Sequence, residues 1–430
     1  MTYGPGEGQI PPWAADRLAA VAQQSQFAGK TGNGVLEHGR YALRVKDVVG
    51  ILAAEECCLE ILPKLDLGQS AETLEDQTSI RQQLIHMLEV VLKLKIDSGA
   101  MTGLSLQRET LLEILIRAFV VKLADAVRSG MPRRYCAHEE DLSALRGKLD
   151  VTKQFTIHAF NPSRLACRFD DLSENILLNK VVKAAIIMLM AVSRSCENQK
   201  YLRELSFVYA DIPNILARNV NWNELVLDRT NRKWHDVIEI SRLFLSGHFQ
   251  TTSSGQSKGV SLLFKMNLLF EEYMGCLFAK ALNDSTSQLI LQGGRKYCLT
   301  DTETDRKLFQ TKPDMIISDC TGERHVIDTK WKTIVPREEN LKQGADEADI
   351  YQMMSYAHVY DADRVTLLYP HHDGLNGEGI QSRYRIAKKD VIIEIATFDI
   401  RKRSGDQIDR IRRLLLGKKN SSTSEESIPG

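Results

Sequence analysis

Apolar positions recur along the chain in two rhythms. Tyr41–Leu52 and Cys58–Leu62 alternate apolar and polar residues and close on Pro63, which predicts short strands in a small β module over 34–66. Gly68–Asp76 is polar and reads as a linker. From Ile80 to about His248 the apolar spacing becomes that of one helix face. It predicts helices over Gln82–Ile96, Leu111–Val127, Asn175–Val192 and Trp234–Leu245, with Gly130-Met131-Pro132 ending the second. Leu145–Val151 is a short extended piece between them, and the Ser/Gly/Gln-rich Thr251–Lys258 reads as a second linker. The texture then changes again. A helix is predicted over Leu262–Leu282, strands at Leu289–Leu291, Asp314–Ser318 and His325–Thr329, and a helix over Ala345–Val359. Strands follow at Val365–Tyr369, Tyr384–Ile386 and Val391–Ile395, an α/β order.

The fold class expected is α+β and multidomain. Residues 1–33, rich in Gly, Pro, Gln and Ala, form a flexible segment with a short helix at Trp13–Gln24. Residues 34–75 are the β module and linker, 76–255 a mainly helical domain, 256–415 an α/β domain, and 416–430 a disordered tail. No internal repeat is visible.

Composition narrows the class. Of 430 residues, 43% are hydrophobic and 26% charged, which is ordinary for a globular protein. Lys plus Arg equals Asp plus Glu at 56 each, so a protein coated in basic charge is excluded, but a local basic patch is not. The eight cysteines contain no Cys-x-x-Cys pair and are expected to be reduced thiols of a cytoplasmic protein. No apolar run approaches the roughly 18 residues that span a bilayer, and the first residues lack the pattern of a secretory signal.

The informative stretch is Lys312-Pro313-Asp314-Met315-Ile316-Ile317-Ser318, a turn containing Gly322, and then Val326-Ile327-Asp328-Thr329-Lys330. Residues two apart on a strand share a face, so Asp328 and Lys330 point one way and Thr329 the other. With Asp314 on the same face, two carboxylates and one ammonium converge. Such a cluster suits phosphodiester hydrolysis. Asp314 and Asp328 are candidate ligands for Mg²⁺, a hard cation that prefers oxygen. The metal acidifies a bound water and neutralises charge at the phosphate. Lys330 is placed to orient that water or to stabilise the pentacovalent oxyanion. Glu271, in the helical row Asn267, Glu271, Met274, Phe278, is a candidate to point inward. So are Gln352 and Tyr356, one helical turn apart. The bland alternatives are a solvated hairpin salt bridge, a surface glutamate, and a core tyrosine beside a surface amide.

Pro313-Asp314 with Asp328-Thr329-Lys330 resembles the PD-(D/E)xK nuclease motif. Further segments extend the likeness: Leu145-Arg146-Gly147-Lys148-Leu149-Asp150, the acidic stretch Phe169–Glu174 leading to Asn179-Lys180 and Lys183, Phe270-Glu271, Tyr351-Gln352 and Leu368-Tyr369-Pro370-His371. In this order they resemble the McrC family, nuclease subunits of McrBC-type, 5-methylcytosine-specific (modification-dependent) restriction systems. The likeness spans about 80–400, and Cys58–Lys64 is similar to an N-terminal element of longer members. The resemblance implies that 256–415 is a restriction-endonuclease-like domain cleaving double-stranded DNA with Mg²⁺. It implies that 76–255 docks onto a hexameric McrB-like AAA+ GTPase and stimulates GTP hydrolysis. The partner would read the methylated cytosine. Asp314, Asp328 and Lys330 would carry the chemistry, with Glu271 and Gln352 supporting the metal or the phosphate.

No GxxxxGK[ST] is present, so no P-loop nucleotide site is expected in this chain. Arg146 and Lys148, two apart on an extended segment, are expected to touch the GTPase partner or DNA, with a structural salt bridge as the alternative. His371-His372-Asp373 reads as a loop, and the eight Lys/Arg of 401–419 as an exposed terminal helix. Two rival functions remain open: a GTPase-activating or DNA-binding adaptor without cleavage, and a stand-alone DNA repair nuclease.

Overall fold

The computed structural model describes all residues except 5, 7–8, 30–31, 33, 55, 65–73, 94–108, 162, 230, 247–248, 253–258, 337–343, 388–389, 403–406 and 417–430. The proposed tail and most of both proposed linkers therefore lie outside the described residues.

Helix α1 (Pro12–Gln23) starts on a proline, which costs no helical hydrogen bond at that position. Its buried Ala14, Ala15, Leu18, Val21 and Ala22 pack against a sheet. The segment 1–33, expected to be flexible, is thus anchored. Alanines read as weakly apolar in a sequence, yet they let helix and sheet approach closely. β1 (Leu36–His38) pairs with β2 (Leu43–Val45), and β3 (Val48–Ala54) with β4 (Cys57–Ile61). Helices α2 (Leu74–Val91) and α3 (Leu111–Arg128) follow.

A three-stranded sheet then interrupts the helices. β5 (Arg134–Leu142) and the two-residue β6 (Lys148–Leu149) flank β7 (Leu165–Ser173), and short α4 (Val151–Thr156) lies between β6 and β7. The expectation of a mainly helical region missed these long strands. They carry charges on both faces, with Arg168 bridging Glu139 at 3.0 Å and Asp150 at 2.6 Å, so no apolar alternation marks them. Helices α5 (Leu177–Val192), α6 (Cys196–Val208) and α7 (His235–Leu245) complete the region. Buried Glu113 of α3 ties it together, accepting from Ser193 Oγ at 2.8 Å, the Arg194 amide at 2.5 Å and Asn198 Nδ2 at 2.8 Å.

β8 (Phe249–Thr252) and β9 (Gly259–Lys265) return to the first sheet, whose order is β4-β3-β9-β8. Two expectations are corrected here. The helix predicted from Leu262 begins at Met266, and residues 259–265 belong to the N-terminal sheet, across the boundary set at 256. Val260-Ser261-Leu262-Leu263-Phe264 is a nearly continuous apolar run, which suits a strand buried on both faces as well as a helix. Ile51, Leu262 and Phe264 face the helical core, while Leu52 and Leu263 face α1.

α8 (Met266–Leu282) leads into β10 (Gln288–Leu291), the hairpin β11 (Lys296–Thr300) and β12 (Lys307–Thr311), then β13 (Met315–Ser318) and β14 (Arg324–Thr329). α9 (Glu347–Val359), β15 (Arg364–Pro370), β16 (Gly379–Arg385), β17 (Ile392–Phe398) and α10 (Gln407–Leu415) end the described chain. The sheet order is β10-β13-β14-β15-β17-β16, parallel from β14 through β15 to β17 and antiparallel elsewhere. One sheet face, with Met315, Ile327 and Leu368, joins α8 and α10 in the core that also holds α3, α5 and α7. The other, with Ile316, Val326 and Leu367, packs on α9.

Part of the basic C-terminal stretch is built into this fold, while Arg412 and Arg413 are exposed on α10 and Arg403, Lys418 and Lys419 lie outside the described residues. Buried Arg410 pairs with Glu378, and Arg401 pairs with Asp373 at 2.6 Å and Asp399 at 3.0 Å. All eight cysteines are free, and no helix among the described residues is long and apolar enough to cross a membrane.

Gly50 has φ +128°, and a Cβ there would meet the Leu262 carbonyl oxygen at 2.1 Å. Gly50→Ala is expected to cost about 2 kcal/mol or more, read as a lower urea midpoint with unchanged slope. An unchanged midpoint would mean that the β3–β9 contact yields freely.

Candidate active site

The site is set by strand register. Met315 pairs with Ile327 in the antiparallel β13–β14 ladder, so one step further Asp314 stands opposite Asp328. Both lie on the sheet face that α9 covers. The Asp314 carboxylate is fixed by Thr329, whose amide and hydroxyl donate to its Oδ2 at 2.7 and 2.8 Å. Asp328 is only 3% exposed. Its Oδ2 lies 2.8 Å from Lys330 Nζ in a charge-assisted pair.

Helix α9 supplies a polar row. Lys330 Nζ donates to Gln352 Oε1 at 3.1 Å, and Gln352 Nε2 donates to the Tyr356 hydroxyl at 2.7 Å. Buried Asp349 lies 3.8 Å from Lys330 and 2.8 Å from Lys332. The Tyr369 hydroxyl is buried and lacks a hydrogen-bond partner among the described residues.

Glu271 reaches the site from α8. Its Oε1 accepts from Gln292 Nε2 at 2.8 Å, and Lys312 Nζ donates to Gln292 Oε1 at 3.3 Å. A cleft of about 280 Å³ opens beside it, lined by Glu271, Glu272, Gly275, Leu291, Gln292 and Asp314 among others.

Charge crowding shifts the acids together. Burial, reinforced by Asp314, pushes Glu271 up to about 7. Burial and then Asp314 push Asp328 up to about 6, against the pull of Lys330. Burial works against the Lys330 ammonium, yet Asp328, Asp349 and Asp314 together raise its pKa. The arrangement is short of positive charge.

A divalent cation fits that shortage. The donors are hard carboxylate oxygens, and those of buried Asp328 have a single ammonium beside them. Among the described residues no three His, Cys, Asp or Glu side chains gather as a complete metal cage. Two carboxylates completed by water and phosphate oxygens are the usual provision for Mg²⁺.

The structure thus brings together Asp314, Asp328, Lys330 and Gln352, with Glu271 at the edge. Arg146 and Lys148 belong to the separate β5-β7-β6 sheet. Arg146 pairs with Asp171 at 3.1 Å and stacks on Phe169, which is the structural alternative, and Lys148 is exposed. Sequence reasoning missed Gln292, Asp349, Lys332 and the hydroxyl role of Thr329. Asp349 was within reach, since Asp349, Gln352 and Tyr356 share one helix face. Gln292 carried no signal, for its left-handed backbone, φ +46°, shows only in the structure.

Below about pH 4 Glu271 is protonated in both folded and unfolded chains and contributes no difference in stability. Between there and pH 7 the unfolded chain loses this proton first, so the group's contribution to folding turns unfavourable as pH rises. Metal-free Glu271→Gln is therefore expected to match the parent at pH 4. At pH 7.5 it should exceed it by about 1 kcal/mol, half-exposure taken into account. Urea midpoints across that range check this, and a pH-independent difference would contradict it.

The profile of the family described as "McrBC 5-methylcytosine restriction system component" matches residues 43–370. No curated protein matches the chain. A chain from the refined half-complex of a tetradecameric assembly of Thermococcus gammatolerans McrB AAA+ hexamers with bound McrC is similar over 96% of both chains, with TM-score 0.70 and 19% identity. A chain from the Thermococcus gammatolerans McrBC complex is similar over 66% of this chain and 85% of its own, with TM-score 0.50 and 21% identity. At such identities the structural likeness speaks to fold, while the family match spans most of the chain. The chain belongs to the McrBC 5-methylcytosine restriction system component family.

Proposed function

We propose that this protein is the Mg²⁺-dependent DNA endonuclease subunit of a McrBC-like restriction system, in the place of McrC. Buried Asp328 carries the reading, facing Asp314 across the strand pair with the Lys330 ammonium beside it.

Asp314 and Asp328 hold the metal, which when bound acidifies water and offsets charge at the phosphate. Thr329 keeps the Asp314 carboxylate from rotating away. Lys330, steered by Gln352 and Asp349, presents its ammonium to the attacking water or the equatorial phosphate oxygens. Tyr356 locks the Gln352 amide, so its oxygen faces Lys330. Glu271, at the cleft lip and held by Gln292, supports the metal or the phosphate.

Cleavage is tied to a McrB-like AAA+ GTPase hexamer through the N-terminal half. Supporting this is the three-stranded module, which exposes Phe155, Ile157 and Phe160, the last 99% accessible. Large apolar side chains presented together are a docking surface. The likeness of the whole chain to one from an assembly of McrB hexamers with McrC points the same way.

The test is co-purification with the candidate GTPase, with GTP turnover and plasmid cleavage measured in parallel. Asp328→Ala is expected to lower cleavage more than 100-fold, about 3 kcal/mol in barrier, and to leave GTPase stimulation intact. The double change Phe155→Ser/Phe160→Ser is expected to remove stimulation. Full Mg²⁺-dependent cleavage by Asp328→Ala would refute the nuclease assignment.

A further inference from the structure

The β11–β12 hairpin has no part in the chemistry above, yet it runs straight into it. Thr311 ends β12, and Asp314 is three residues on, at most about 10 Å away. The hairpin is fastened to α9 on the active-site side of the sheet. Cys298 Sγ lies 3.1 Å from Ser355 Oγ, the Thr311 hydroxyl 2.9 Å from that of Tyr360, and Lys296 Nζ donates to the Val359 carbonyl at 3.1 Å. A duplex with its scissile phosphate at Asp314 and Asp328 would have the base of this ribbon within about 10 Å.

The ribbon's free face is unusual for a surface hairpin. Register places Tyr297 and Leu299 beside Gln310 and Leu308, on the face turned away from α9, and the three apolar side chains there are exposed. Phe309 interrupts the pairing with a left-handed backbone, φ +56°, and is 70% exposed. An aromatic residue in that conformation costs about 1 to 2 kcal/mol, and so exposed a side chain recovers little of it from packing. Exposed Arg306 and Lys307 open β12 beside Leu308, and exposed Arg295 precedes β11, while Asp301, Glu303 and Asp305 lie in the turn. Asp301 is turned back on the amides of Glu303 and Thr304 at 2.9 and 2.8 Å. Arg306 and Lys307 next to exposed apolar side chains, on a ribbon that leads into Asp314, fit a polyanion whose base edges are open to apolar contact.

We propose that the 296–311 ribbon is a DNA-engaging arm. It lies in the major groove next to the cleaved phosphate, its cations on flanking phosphates and Phe309 with Leu308 against the base edges. A groove about 12 Å wide admits a two-stranded ribbon and offers pyrimidine methyl groups to apolar side chains. The proposal rests on the nuclease reading only for where the phosphate sits.

The test is binding of a fluorescent duplex to the full chain without divalent metal, across a salt series, with cleavage in Mg²⁺ and GTPase stimulation measured alongside. Phe309→Gly keeps the left-handed backbone and removes the ring. It is expected to weaken binding about tenfold while the thermal midpoint holds or rises, and Phe309→Trp to stay within about twofold. Arg306→Ala/Lys307→Ala is expected to lower the slope of log affinity against log salt by about 2. Unchanged affinity in both variants would overturn the proposal. So would intact DNA binding with lost GTPase stimulation, which would make the ribbon a protein contact. Ribbon-dependent binding by a parent chain that never cleaves would sustain the arm and sink only the nuclease reading.

Discussion

The energetic centre of this protein is two carboxylates held face to face by an antiparallel register, one of them almost wholly out of water. Asp328 is 3% exposed and Asp314 stands across the ladder from it. Desolvation and like-charge repulsion both oppose this arrangement. One ammonium, Lys330, offsets it in part, and Lys330 is itself drawn toward Asp349 and Gln352. The α9 polar row, the Thr329 clamp and the raised pKa of Glu271 are consequences of that one arrangement. A fold that keeps such a deficit of positive charge is suited to recruiting a cation together with an anionic substrate.

The frame that bears this cost is continuous. Strand β9 joins the N-terminal sheet and passes without a break into α8, which carries Glu271 and packs with the helical core and the six-stranded sheet. One apolar cluster extends from Val49 to Leu414. The domains read from the sequence are therefore topologically interleaved, and the helix bearing a site residue shares its core with helices α3, α5 and α7. Buried polar ties reinforce the frame at its ends, Glu113 in the helical half and the Arg410–Glu378 pair at the C-terminus.

Much of the site was legible because it follows from strand alternation. Asp328 and Lys330 share a face by spacing alone, and Gln352 with Tyr356 by helical repeat. Asp314 needed the register, which the turn around Gly322 constrains but does not reveal. Long-range pairing was least legible: β9 joining β3 over two hundred residues away leaves no local mark, and an apolar run such as Val260–Phe264 reads equally as helix. The β5–β7 sheet was hidden by its charges, which are satisfied across strands rather than by a core. Helix α1 was legible at Trp13–Gln24, but its alanines hid that it packs on a sheet. Gln292 and Phe309 depend on left-handed backbone that no residue type announces.

The most direct test of the account is anomalous diffraction from crystals of the protein soaked in Mn²⁺. The account predicts a peak between the Asp314 and Asp328 carboxylates, about 2.0 to 2.3 Å from Asp328 Oδ2, lost in Asp328→Asn. Peaks only elsewhere, or none beside those two side chains at saturating metal, would contradict it.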